Sequence, residues 1–246
     1  RDQANIVPFR LGQTDAPGQL SLPKRIYVRD EEIKRLQDNM QRARDGEDSF
    51  FRVTGIQGIG TSSFCSAIAR QAAEGHLLVA RTRISNPTYA QHDVKDAEEI
   101  WLELLRPILR QALSLDSDAV GDLIDRLQKL NSDHIATLVP FVPELSSFVT
   151  SRSISASGML TQGVRELAAA IAPLPVCLVI EGVDQLRPQV TEELLQAALD
   201  LRHVLLVLAG DETSDDEVFS PPRIATKTTR IELGPLARGD VRAMLS

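Results

Sequence analysis

The stretch that most constrains the fold is Phe50–Ala69, FFRVTGIQGIGTSSFCSAIA. Its first five residues, 50–54, are apolar or β-branched apart from one arginine, which predicts a buried strand. Three glycines follow within the next six residues and predict a tight loop. Phe64 and Ile68 then recur at helical spacing, and Gly75 predicts the end of that helix. A strand, a glycine loop and a helix in direct succession are typical of one βα unit of a parallel sheet.

The loop matches most of the phosphate-binding pattern G-x-x-x-x-G-K-[ST]. The two glycines and the hydroxyl residue are present, but Thr61 stands where the lysine belongs. In such loops backbone N–H groups and the helix N-terminus hold phosphates, the lysine adds charge, and the hydroxyl ligates Mg²⁺. Thr61 keeps one neutral hydrogen bond, roughly half as strong as a charge-assisted one. The alternative is a tight strand–helix turn that happens to be glycine-rich. The predicted phosphate-binding residues of this glycine loop (residues 55–63) are Gly55, Gly58, Gly60, Thr61, Ser62 and Ser63.

Further apolar runs alternate with amphipathic helical patterns along the chain. Strands are predicted in HLLVARTRIS, PVCLVIEGVDQL, HVLLVLAGDE and TTRIELGPL. The alternation predicts an α/β fold of three layers, a P-loop NTPase with a five-stranded, mainly parallel sheet and helices on both faces. Ligands bind at the carboxyl ends of the strands in such sheets. Gly55 and Glu181 both lie at such ends.

Several helix boundaries follow from caps and prolines. Asp30 is the predicted N-cap of the first helix and Gly46 its stop. Pro107 lies inside a helix predicted over 93–113 and should kink it, and two prolines break up the last helical pattern of 117–150.

The Pro/Gly/Gln-rich residues 1–24 are predicted to form an extended N-terminal arm, and 25–246 one domain that stops inside a helical pattern. We therefore expect the chain to be a segment of a longer protein.

A second group of candidate site residues follows the strand that contains LVIEGVDQL. Glu181, at the strand end, is predicted to hold the water shell of Mg²⁺ together with Ser62. Gly182 occupies the place of a second acid and offers no base. Asp184, two residues further on, is the remaining candidate catalytic base, although a solvated loop acid or a turn cap fits it as well. Asp211, after the next strand, stands where a basic or polar residue would contact the outer phosphate, and a solvated loop start is the better interpretation.

Composition limits the function classes. The chain has 246 residues, is 43% hydrophobic and carries a formal net charge of −7, so a nucleic-acid partner is unlikely on electrostatic grounds. Cys65 and Cys177 lie in apolar runs and are predicted to be reduced and buried, as in a cytoplasmic protein. No apolar run has membrane-spanning length, so no membrane partner is expected. The four histidines show no metal-ligand spacing.

Seven segments occur in the order seen in AAA+-like ATPase modules of the STAND group, the signal-transducing NTPases of large multidomain regulators. They are NIVPFRLG, IYVRDEEIKRLQ, GIQGIGTSS, LVPFVPEL, PVCLVIEGVDQL, VLLVLAGDE and RIELGPLARGDVRAML. Origin-recognition-type AAA+ ATPases are similar over the same span. The resemblance implies a module switched by ATP or ADP with Mg²⁺. It places adenine near Ile26–Arg29, with Arg29 as a binding residue, phosphates on Gly55–Ser63, and Mg²⁺ on Ser62 and Glu181.

The chain departs from the family pattern at Thr61, Gly182 and Asp211. The first hypothesis is therefore a degenerate module with weak or no ATP hydrolysis. It would act as a regulatory, oligomerisation or scaffolding switch, with flanking domains, copies of itself or other proteins as partners. The second is an active ATPase in which Arg29, Lys227 or an arginine of a neighbouring subunit replaces the lysine. The third is a DNA-loading module, which the acidic balance and the absence of a basic stripe argue against.

Overall fold

The structure is a computed structural model, and it describes residues 29–84, 96–115, 118–149, 159–199, 201–211 and 222–235. Five strands form one sheet in the order β2-β3-β4-β1-β5, and every neighbouring pair is parallel. The predicted three-layer α/β fold is confirmed. The strands are β1 Ser49–Thr54, β2 Leu78–Arg83, β3 Val176–Glu181, β4 Val204–Gly210 and β5 Thr228–Glu232. The helices are α1 Asp30–Arg44, α2 Thr61–Glu74, α3 Ala97–Leu113, α4 Asp118–Gln128, α5 Ser132–Leu138, α6 Met159–Ile171, α7 Pro188–Leu199 and α8 Pro222–Ala225, with short 3₁₀ turns at Pro143–Phe148 and Val183–Gln185.

Two hydrophobic cores lie on opposite faces of the sheet. Every residue of β3 is buried, because helices cover this interior strand on both sides. The larger core contains residues of α3 to α7 and the side chains of β3 that alternate with those of the smaller core. The smaller core contains residues of α1 and α2, among them Phe64 and Ile68, which the helical spacing predicted to be buried. The α1–α2 face is therefore the one that carries the glycine loop.

The helix boundaries differ from the prediction at the starts of α1 and α3, and the helix predicted over 93–113 begins at Ala97. Arg29, not Asp30, is the N-cap residue of α1, and no side chain caps the helix there. The stop at Gly46 is confirmed by a left-handed backbone with φ +89°. Helix α3 continues through Pro107 to Leu113, so the proline does not end it. The prolines near 140 separate α5 from a 3₁₀ turn, as predicted. The four-residue α8 was not predicted, because one turn is too short to show a helical period.

Some predicted segments lie outside the described residues. These are the N-terminal arm at 1–24 and the helical pattern at the end of the chain. The adenine-binding stretch implied by the resemblance also falls there, apart from Arg29. Within the described ranges, no helix combines the length and apolar character needed to cross a membrane.

Candidate functional site

The carboxyl ends of β1, β3 and β4 border a cleft of about 770 Å³. It brings together nearly all of the predicted site residues, which come from distant parts of the sequence. Its lining comprises Gly55, Ile56, Gln57, Gly58, Gly60, Thr61, Ser62, Ser63, Arg83, Ile84, Glu181, Gly182, Asp184, Gln185, Ala209, Gly210 and Asp211. Its position at the strand ends is the one expected for a ligand site in a parallel α/β sheet.

The glycine loop has the backbone conformation of an anion-binding turn. Gly58 and Gly60 have φ angles of +88° and +98°, in the left-handed region that favours glycine. Gly60 is the N-cap of α2, and its carbonyl accepts the first helical hydrogen bond, from the N–H of Phe64 at 2.9 Å. The preceding N–H groups of the first turn have no acceptor within the helix. They and the helix dipole therefore create a positive potential at the cleft wall although the lysine is absent.

Glu181 is held by an arginine that the sequence analysis did not single out. Arg81, on β2, forms an ion pair with Glu181 Oε1. The same guanidinium donates to Ser66 Oγ and, at 3.4 Å, to the carbonyl oxygen of Ser62, both on α2. Glu181 is only 3% exposed. Because a buried carboxylate is costly unless it is paired, the ion pair with Arg81 offsets the cost of burying Glu181 at the edge of the cleft.

The backbone at Gly182 leaves no room for a side chain. Its φ of +76° lies in the left-handed region, and a Cβ placed there would lie 2.5 Å from the carbonyl oxygen of Ile84. Real Cβ atoms do not approach that closely to backbone atoms. The path of the chain after β3 therefore excludes a side chain at this position.

Asp184 lies in the cleft but is already hydrogen-bonded. Its Oδ1 accepts from the backbone N–H of Asp211 at 3.1 Å, and its Oδ2 accepts from Gln185 Nε2. These bonds tie the turn after β3 to the end of β4. The geometry agrees with the structural interpretation of Asp184, as a cap of neighbouring backbone, more closely than with a free catalytic base.

Two residues proposed to replace the lysine are occupied elsewhere. Arg29 Nη2 donates to the carbonyl oxygen of Gly234 at 3.0 Å, and its guanidinium lies 3.6 Å from Glu32. Arg29 does not line the cleft. Lys227 precedes β5 and pairs with Asp48 at 2.9 Å, at the amino ends of the strands. The suggestion that Lys227 compensates for Thr61 is wrong, because Lys227 lies at the amino ends of the strands and Thr61 lies at their carboxyl ends.

Two arginines were missed, Arg81 and Arg83, both on β2. The sequence does place them two residues apart, in ARTR at the end of a predicted strand. That spacing predicts that both side chains lie on the same face of the sheet. What the sequence could not supply was the position of β2 next to β3, which brings them beside Glu181.

The two cysteines are buried and free, as predicted. Burial raises the pKa of Cys65 to about 12, with the Glu181 carboxylate adding to that effect and Arg81 opposing it. Burial likewise raises the pKa of Cys177 to about 12. Both thiols are therefore protonated at neutral pH and are poor nucleophiles, although Cys65 lies close to the cleft.

The residues fit a hydrated Mg²⁺ that is shared with phosphates. Glu181 Oε2 is buried and has no hydrogen-bond partner within the described part of the chain, and Ser62 lines the same cleft. A hydroxyl and a water-bridged carboxylate are usual for Mg²⁺ when phosphate oxygens complete its shell. Across the described ranges, no cluster of three His, Cys, Asp or Glu side chains could hold a metal without such a ligand.

Comparison with protein families gives a match over most of the chain. The profile described as "AAA ATPase domain" matches residues 25–207, which include the glycine loop, β3 and most of β4. The chain belongs to this AAA ATPase family. The resemblance to AAA+ ATPases is thus confirmed at family level, and the family binds ATP or ADP with Mg²⁺. No curated protein gives a match to the sequence.

Comparison with solved structures gives further matches at low sequence identity. Cdc6p from Pyrobaculum aerophilum is 12% identical with a TM-score of 0.53, over 94% of this chain and 51% of that one. The Orc1 protein of Aeropyrum pernix in complex with DNA is 16% identical with a TM-score of 0.48, over 91% and 50%. Drosophila ORC bound to DNA is 14% identical with a TM-score of 0.49, over 89% and 46%. The chain therefore spans about half the length of these structures.

Proposed function

We propose that this AAA ATPase domain binds ATP or ADP in the cleft beside the glycine loop but hydrolyses ATP weakly or not at all. Bound nucleotide then acts as a regulatory signal within a longer protein. The observation that carries the proposal is a contrast within one site. The loop keeps the left-handed glycines and the free helix N-terminus that hold phosphate, whereas the positions that drive hydrolysis have lost their chemistry.

Nucleotide binding rests on the glycine loop and on Glu181. Backbone N–H groups at the start of α2 donate to phosphate oxygens without any side-chain charge. Ser62 and Glu181 would hold Mg²⁺, which supplies positive charge to the phosphates when it is bound. Glu181 is oriented for that role by Arg81, which holds one oxygen and leaves Oε2 without a hydrogen-bond partner.

Weak hydrolysis rests on three positions. Thr61 cannot supply the charge that a lysine gives to the outer phosphate. Gly182 leaves no base after Glu181, and the carbonyl of Ile84 prevents one from being introduced. Both carboxylate oxygens of Asp184 accept hydrogen bonds, from the side chain of Gln185 and from the backbone N–H of Asp211. An attacking water therefore meets no acid at position 182 and, at Asp184, a carboxylate that is already hydrogen-bonded.

The regulatory part of the proposal rests on the order of motifs that resembles STAND modules. A domain that holds nucleotide without rapid turnover is suited to act as a slow switch. Its partners would be flanking domains of the same polypeptide and further copies of the chain, whose association changes with the bound nucleotide.

The experiment combines calorimetry with a turnover assay. ATP and ADP are titrated with Mg²⁺ into the natural chain and into Thr61→Lys, and phosphate release is measured for both. We expect the natural chain to bind, the lysine variant to bind roughly ten- to a hundredfold more tightly, and neither to turn over near 1 s⁻¹. The lysine restores a charged hydrogen bond to phosphate but leaves Gly182 unchanged.

Two results would contradict the proposal. Turnover by the natural chain at about 1 s⁻¹ or faster would make it an active ATPase. No binding of either nucleotide to the natural chain would mean that the cleft has lost its ligand. In the same samples, a salt-dependent gel shift of duplex DNA would instead favour a DNA-loading function.

A further inference from the structure

We propose that Arg83 supplies the positive charge to the phosphates that the missing loop lysine would otherwise supply. This inference rests on the proposed function, since it needs a nucleotide in the cleft. It assigns a ligand-binding role to a residue of β2, which is separate from the glycine loop in sequence and reaches the cleft only through the strand order.

The register of the sheet places Arg83 beside the loop. Arg83 is paired with Glu181 across β2 and β3, so both side chains lie on the face that α2 covers. Arg81, two residues earlier on the same face, already contacts the first turns of α2 at Ser62 and Ser66. Arg83 lies about 6.6 Å further along β2 than Arg81, toward the carboxyl ends of the strands. The glycine loop lies at the same ends of the strands.

The charges of the cleft leave one role for this side chain. Among the described residues that line it, three are acidic (Glu181, Asp184 and Asp211) and Arg83 is the only basic one. Glu181 is neutralised from outside the lining by Arg81. A polyphosphate entering the cleft would still meet the carboxylate of Asp184, so it needs a cation close to its outer oxygens.

Arg83 is available to act as that cation. It is exposed, and it forms no hydrogen bond or ion pair with any residue that the structure describes, in contrast to Arg81. Its guanidinium presents planar N–H donors that match two phosphate oxygens at once. It therefore resembles the lysine in charge and exceeds it in the number of donors.

The test is a binding series with a matched control. Arg83→Gln removes the charge, and Arg83→Lys keeps it. Arg202→Gln removes another exposed arginine, which precedes β4 at the amino ends of the strands. Thermal unfolding verifies that all variants fold as the natural chain does. Displacement of fluorescent ADP is then measured with three unlabelled competitors: ADP, sodium tripolyphosphate and adenosine.

We expect Arg83→Gln to weaken ADP and tripolyphosphate by roughly ten- to a hundredfold and to leave adenosine unchanged, because adenosine has no phosphate. Arg83→Lys should lose less than Arg83→Gln, and Arg202→Gln should match the natural chain. Adding Thr61→Lys to Arg83→Gln should restore ADP binding, since a loop lysine then provides the missing charge.

Two failures are distinguishable. If the natural chain binds ADP and Arg83→Gln binds it equally well, Arg83 has no role and the proposed function stands. If the natural chain does not bind ADP at all, the proposed function and this inference fall together. A loss in Arg83→Gln that extends equally to adenosine would show a structural effect and overturn the role assigned to the charge.

Discussion

At the scale of single residues, the site depends on Glu181 and its partner. The sequence predicted Glu181 correctly as a strand-end acid facing the loop, because an acid directly after a buried apolar run is costly unless it serves a site or an ion pair. It could not predict Arg81, since the contact requires β2 to lie beside β3, and strand order follows from packing rather than from local pattern. The same limit accounts for the wrong suggestion that Lys227 substitutes for the lysine.

Removing Arg81 should destabilise the domain. Arg81→Met leaves the carboxylate of Glu181 buried without its ion pair, and we expect a loss of about 1–3 kcal/mol in the free energy of unfolding. Glu181→Gln in that background should recover part of the loss, because the neutral amide costs less to bury. Urea unfolding of the two single variants and the double variant measures this coupling.

The control for this cycle is Arg202→Met, an exposed residue with no ion pair to the described part of the chain, which should change stability by less than about 0.5 kcal/mol. Strict additivity of Arg81→Met and Glu181→Gln would show that the two side chains are not coupled, and the ion pair would then not offset the burial of Glu181.

At the scale of elements, the unit β1–loop–α2 could be predicted almost residue by residue. Its three signals, an apolar run, clustered glycines and a helical period, are all local. The start of α1 and the single turn of α8 could not be predicted as well. Arg29 takes the cap position without a capping bond, and one turn of helix has no periodicity to detect.

The conformation of the loop gives a prediction with an internal control. At Gly60 a Cβ would meet nothing within 4 Å, so Gly60→Ala is penalised only by its φ of +98°. We expect a loss of about 1–2 kcal/mol in stability and weaker ADP binding, because the strained residue shifts the helix N-terminus.

Gly121, inside α4, also has open space around a Cβ but carries no positive φ. Gly121→Ala should therefore stabilise the domain by up to about 1 kcal/mol and leave ADP binding unchanged. The pair is compared by chemical unfolding and ADP titration. A Gly60→Ala variant that is as stable as the natural chain and binds ADP equally well would contradict the left-handed conformation of the loop.

At the scale of the whole molecule, two hydrophobic cores pack against opposite faces of one parallel sheet. The carboxyl ends of its strands border the cleft. The apolar strands and amphipathic helices predicted this architecture, because buried parallel strands leave few other arrangements. The sequence could not predict that the chain after β3 would exclude a side chain at Gly182, since that depends on the carbonyl of Ile84, far away in sequence. The backbone path therefore leaves no acid directly after Glu181, whereas the left-handed glycines of the glycine loop are retained.

The most direct test of nucleotide binding without turnover is hydrogen exchange with and without ADP and Mg²⁺. We predict that ADP slows exchange in residues 55–63 and at the end of β3 near Glu181, and leaves the start of β4 after Arg202 unchanged. The same bound state should persist for ATP over the time of the measurement, because the proposed function expects hydrolysis to be weak or absent. Unchanged exchange in residues 55–63 at saturating ADP would contradict the claim that the glycine loop holds nucleotide.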